Sequence, residues 1–183
     1  MRPKSWRAAR APANGKGLPT QDPSGGPDVA KAKKPKNAPD GKGIRLALVT
    51  ARFNDDLTDT MRERAIQTAK DAGATITVDL RVPGVFDLPL IVDHVLLRGD
   101  VDAAVALGTV ITGQTGHDVL IAHAAVQSLS QLGLKHAKPV ALGVTGPGQT
   151  HAQAQARVDR ADAAVHAAVE LVRALQSVRK QRA

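Results

Sequence analysis

Between Ile44 and Val178 the chain repeats one pattern four times: a short apolar run, a turn, then residues at helical spacing. The first run is Arg45–Ala51, followed by helical spacing over Leu57–Ala72, with Gly73 as its stop. Ala74–Val82 alternates and is rich in β-branched residues, so it reads as a second strand. A turn at Pro83–Asp87 and a helix through Arg98 follow. The third strand opens at Ala103, and its helix runs from about His117 to Leu132. Lys138–Thr145 is the fourth strand, Gly146-Pro147-Gly148 a turn, and Thr150 caps one long last helix. Four apolar strands alternating with helices predict a three-layer α/β/α domain on a four-stranded parallel, flavodoxin-like sheet. Right-handed crossovers then gather all four strand-to-helix turns on one edge, where a site is expected.

Residues 1–43 are of a different kind. They hold seven of the eleven prolines, six of the sixteen glycines and ten Lys/Arg against three Asp. That is a net charge of +7 out of +8, so the remaining 140 residues are nearly neutral. A segment so poor in periodic apolar residues does not offset its ordering entropy, and we read 1–43 as a disordered basic extension and 44–183 as the domain. The Lys31–Lys36 cluster would touch RNA or an acidic partner, a solubilising extension being the simpler reading. The absence of cysteine excludes disulfides and thiolate chemistry. No apolar run approaches the roughly 18 residues of a membrane span, and no secretory h-region is present. A cytoplasmic protein without membrane contacts is expected, with organellar import through the extension left open.

Chemistry concentrates in the four turns. The third, Gly108-Thr-Val-Ile-Thr-Gly113-Gln114-Thr115, has P-loop spacing with Gln114 in place of the lysine. A loop that binds phosphate without hydrolysing a nucleotide survives that change. His117 stands just past it as a proton-transfer group at a helix start. Phe53 and Phe86 are the only two phenylalanines of a chain without tyrosine, and both fall in turns. Each either stacks on a flat ring or plugs the sheet edge. Asp87 is a hydroxyl acceptor or a helix N-cap. Arg157, taken alone, is a solvated charge on the last helix.

Together these residues resemble the lumazine synthase family of riboflavin biosynthesis. The resemblance rests on Arg52-Phe53-Asn54, Val82 to Pro89, Ala106 to Ile111, Gly113-x-Thr115-x-His117-Asp118 and Gln153-Ala154-x-x-Arg157. The segment Leu142 to Thr150 is similar to the archaeal branch. The family implies a transferase that condenses 5-amino-6-ribitylaminouracil with 3,4-dihydroxy-2-butanone 4-phosphate, with no cofactor and no metal. By residue, the resemblance puts Phe53 on the pyrimidine, Asn54 at its edge, and Val85 and Asp87 on the ribityl hydroxyls. Phe86, Thr109, Val110, Ile111 and Leu142 fall among the same contacts. Gln114 and Thr115 would hold the phosphate with Arg157 from a neighbouring subunit, and His117 would move protons. Thr112 and Leu142 depart from the bacterial pattern, which has arginine and phenylalanine there. Family members form pentamers and often sixty-subunit shells, so at least a pentamer is expected. A non-catalytic shell-forming paralogue whose tail recruits acidic cargo or nucleic acid is the alternative.

Overall fold

The computed structural model describes residues 39–181. The reading of 1–43 as an extension therefore falls almost wholly outside the described residues. From Arg45 onward the order is β1 (Arg45–Ala51), α1 (Asp55–Asp71), β2 (Thr75–Val82), a 3-10 turn (Val85–Asp87) and α2 (Leu88–Leu96). Then come β3 (Ala103–Ile111), α3 (His117–His136), β4 (Val140–Gln149), α4 (His151–Gln155) and α5 (Arg160–Lys180). The strands pair in parallel in the order β2-β1-β3-β4, as the repeated strand–helix pattern predicts.

Strand alternation builds two cores. Leu46 and Leu48 of β1 and Ala103, Val105 and Leu107 of β3 face α1 and α5, meeting Met61, Ala65, Val165 and Val169. Ala47, Val49 and Ala51, with Ala104 and Ala106, face the other way and meet Leu88, Val92, Ala122 and Leu129 of α2 and α3. Both faces of the two central strands are thus apolar, which is why β1 and β3 read as continuous runs in the sequence. Helices cover both sides, and every strand ends at the same edge.

Two elements differ from the sequence reading. Gly146-Pro147-Gly148 is not a free turn but part of β4, which continues to Gln149 and pairs it with Ile111. Gly146 and Gly148 take φ values of 96° and 76°, open to glycine and strained for other residues. A Cβ at Gly146 would run into the Val110 carbonyl oxygen, so the strand stays beside β3 only with glycine there. The last helix is also broken. Arg157 N–H donates to Ala154, Arg160 to Arg157 and Ala161 to Val158, contacts three residues apart that tighten the chain between α4 and α5. A smaller difference is α3, which passes Gly133 and stops only where Ala137 turns left-handed at φ 48°.

At the opposite edge, ion pairs tie the layers together. Arg45 binds Asp102 through its backbone N–H, Nε and NH2, and Asp102 N–H returns a bond to the Arg45 carbonyl. Asp93 of α2 accepts from Lys135 Nζ at 2.9 Å and meets His136 Nε2 at 2.6 Å, which joins α2 to α3. Lys135 first, then His136, hold the Asp93 carboxyl down to about 2. A depressed carboxylate stabilises the fold above its unfolded value near 3.9 and loses that contribution as pH falls toward 2. Asp93→Asn is therefore expected to shallow the decline in unfolding free energy between about pH 4 and pH 2. Urea melts of both proteins across that window test it; parallel curves would show that the cluster is not thermodynamically linked to folding.

Candidate active site

The carboxyl edge of the sheet is laced turn to turn by backbone bonds. Arg52 N–H donates to the Val82 carbonyl at 2.8 Å and Phe53 N–H to Pro83 at 3.1 Å, joining the first turn to the second. Asn54, left-handed at φ 62°, caps α1 and sends its side-chain Nδ2 to the Thr109 carbonyl at 3.3 Å, joining the first turn to β3. Gly84 N–H donates to Asp87 Oδ2 at 2.8 Å, which closes the 3-10 turn. Asp87 thus acts within its own turn and keeps one carboxylate oxygen free of any hydrogen bond among the described residues.

Val85 is buried, and its packing explains Gly108. A Cβ at Gly108 would lie 2.6 Å from Val85 Cγ2 and 3.3 Å from the Ala51 side chain. This glycine sits inside β3 and lets the second turn approach the sheet. A P-loop needs its first glycine at the start of the loop, whereas here the chain stays in strand as far as Ile111. The P-loop spacing is accidental, and the exposed loop is only Thr112–Gly116.

Phe53 is 71% exposed and Phe86 65% exposed, so neither ring plugs the sheet edge of its own chain. Both present an aromatic face to solvent beside polar groups, the arrangement of a stacking platform. Across β3 lie Gln114, Thr115 and His117, all exposed, the last at the first position of α3 with Gly116 as its N-cap. Gly116 has no side chain to cap that helix, and Val119 N–H turns back to the Gly116 carbonyl at 3.2 Å, while His117 and Asp118 N–H have no backbone partner among the described residues, as an anion-binding helix start requires. Thr109 and Val110 are buried and Ile111 half-buried, forming the floor between the aromatic side and the loop.

Two residues of the expected set stand apart. Leu142 pairs with Ala106 in the middle of the sheet, three residues before the Thr109–Thr145 level, and lies 46% exposed on the outer strand β4. Arg157 sits in the tight turn between α4 and α5, donating NH1 to the Gln153 carbonyl at 2.9 Å, with no carboxylate partner among the described residues. His117 opens α3, in the α2/α3 layer, whereas Arg157 adjoins α5, in the layer of α1 and α5.

The sequence reading passed over a buried polar group beneath the floor. Gln149 Nε2 donates to the hydroxyls of Thr109 and Thr145, each at 2.9 Å, and Thr145 Oγ1 bonds Thr109 Oγ1 at 3.0 Å. All three residues are buried. The available signal was period two: Thr145 and Gln149 share parity with Ala141, a core residue, so they point inward. Among the described residues no cluster of three His, Asp or Glu is placed to hold a metal ion, and no helix is long and apolar enough to cross a membrane.

A family model described as 6,7-dimethyl-8-ribityllumazine synthase matches residues 43–176. Proteins of that name from Methanocaldococcus jannaschii and Methanopyrus kandleri are 45% and 47% identical over 135 residues, 74% of this chain and 96% of each relative. A third, from Metallosphaera sedula, is 43% identical over 136 residues, 74% of this chain and 90% of the relative. The matched region takes in every turn described above.

Proposed function

The chain belongs to the 6,7-dimethyl-8-ribityllumazine synthase family, and from that premise we propose how its sheet edge condenses 5-amino-6-ribitylaminouracil with 3,4-dihydroxy-2-butanone 4-phosphate. The observation that carries the reading is one edge presenting an exposed aromatic and, across β3, a helix start without a side-chain cap that carries Gln114, Thr115 and His117.

Phe53 stacks on the pyrimidine, with Phe86 beside it and the Asn54 side chain at its edge. The backbone at Val85 and the free Asp87 oxygen receive the ribityl hydroxyls, while Thr109, Val110 and Ile111 form the floor. The outward N–H groups of the loop and helix start, with Gln114 and Thr115, hold the phosphate of the ketone. The uracil amine attacks the ketone carbonyl, and loss of water leaves an imine. A proton leaves the hydroxyl-bearing carbon as phosphate departs, and the enol so formed takes a proton at its terminal carbon to become a methyl ketone. The ribitylamino nitrogen closes the second ring on that new carbonyl, again losing water. His117 takes and returns protons in these steps, worth roughly 10²–10⁴ in rate. Holding both reactants together supplies much of the rest.

The site is completed between chains of a homo-oligomer, a pentamer at minimum. Leu90 on α2 and Leu97 just past its end, and Val119, Leu120, Val126 and Leu134 on α3, are exposed, with Leu90/Leu97 and Val119/Val126 seven residues apart. Apolar stripes of this kind mark surfaces that another chain covers. Leu142 on the outer strand and Arg157 in the α4–α5 turn are the residues one chain lends to its neighbour's site. Light scattering on the purified protein tests the assembly: a monomer would remove the shared site.

A further inference from the structure

We propose that Asp118 and Gln149 are positioning residues through which the end of β4 staples the exposed loop and fixes where Gln114, Thr115 and His117 stand. The proposal rests on the reading of this edge as the active site.

The loop Thr112–Gly116 is solvent-exposed along its length, so among the described residues nothing packs over it to hold its shape. Its two ends are held by consecutive residues of β4. At the entrance, Thr112 N–H donates to the Gln149 carbonyl at 2.9 Å. At the exit, Gly148 N–H donates to Asp118 Oδ2 at 3.3 Å. Asp118 is 7% exposed, directly after the exposed His117, so the carboxylate turns inward where the imidazole turns outward. The left-handed turn at Gly148 presents that N–H to α3.

Gln149 then anchors the staple to the floor. Its amide nitrogen uses both hydrogens on Thr109 and Thr145, and the Thr109 carbonyl accepts from Asn54. Apart from the bond between them, the two hydroxyls have no other side-chain partner among the described residues, so removing the amide leaves the pair without its anchor. One residue therefore links the pyrimidine side of the edge, through Thr109 and Asn54, to the phosphate side, through Thr112. Both substrates would be held at a separation set by this brace, which is what a two-substrate condensation requires.

A rival account makes Asp118 only an anion favoured at a helix start. Asparagine separates the two, because it keeps an acceptor for Gly148 and loses the charge. The full-length protein and its Asp118→Ala, Asp118→Asn and Gln149→Leu variants are compared by hydrogen exchange over residues 112–120 and by steady-state kinetics. Asp118→Ala and Gln149→Leu are expected to speed exchange of the loop about tenfold, the size of one lost hydrogen bond. Their KM for the phosphate-bearing ketone should rise about tenfold with the KM for the pyrimidine little changed. Asp118→Asn should stay within about threefold of the parent in both measurements. Equal impairment of Asp118→Asn and Asp118→Ala, or loop exchange unchanged in Asp118→Ala, overturns the proposal. If Gln149→Leu fails to fold, the Asp118 pair decides. Absence of turnover in the parent would count against the assigned reaction alone, since exchange reads the staple without substrate.

Discussion

His117→Ala is expected to lower kcat by about 10²-fold, with both KM values changed only a few-fold. The imidazole is exposed and enters no hydrogen bond among the described residues, so its removal leaves no buried group unsatisfied and the fold stays intact. Loss should appear in the chemical steps, because proton transfer is made in the transition state and not on binding. It should also be partial, since holding two reactants in reach remains after the base has gone. Initial rates followed through lumazine absorbance and phosphate release, with far-ultraviolet dichroism as the control for folding, test it. An unchanged kcat would remove His117 from the mechanism.

Arg157→Ala is expected to lower kcat/KM by about 10²–10³, mostly through the KM of the phosphate-bearing ketone. The guanidinium is half-exposed, and its one bond is to a carbonyl of its own turn, so it is available to a phosphate at little structural cost. Its place in the α4–α5 turn, on the layer opposite α3, makes the stronger test a mixture. Co-expression of His117→Ala with Arg157→Ala chains gives assemblies in which some interfaces pair an intact His117 with an intact Arg157. If each site draws the two from different chains, random mixing restores about a quarter of parental activity. If one chain supplies both, every site lacks one residue and no activity returns.

The sheet was legible because its two central strands are buried on both faces. Such strands leave uninterrupted apolar runs, and β1 falls at Arg45–Ala51 in sequence and structure alike. The end of β4 was not legible, because Gly-Pro-Gly ordinarily marks a turn. There the backbone of β3 captures it, through the Thr112–Gln149 bond and the room that Gly146 leaves beside Val110. The break before Arg160 was hidden for a related reason: Ala156 to Asp159 contains neither glycine nor proline, and tertiary packing alone decides it. The positions of Phe53, Asn54, Asp87, Thr115 and His117 at one edge follow from topology, so strand order sufficed to predict them. Asp118 and Gln149 act through contacts between β4 and α3 that are far apart in sequence, and no local pattern announces them. Leu142 and Arg157 lie apart from the others on a single chain, and for Arg157 only the family resemblance, not any local pattern, pointed to a neighbouring chain.

The most direct test of the central claim is turnover of the purified full-length protein with both substrates, read as lumazine absorbance and phosphate release together. The account predicts the two products in equal amounts, at a rate proportional to protein and lowered about 10²-fold by His117→Ala. A folded assembly that yields neither, with substrates that a control synthase consumes, would contradict it and favour a shell-forming protein that kept the fold without the reaction.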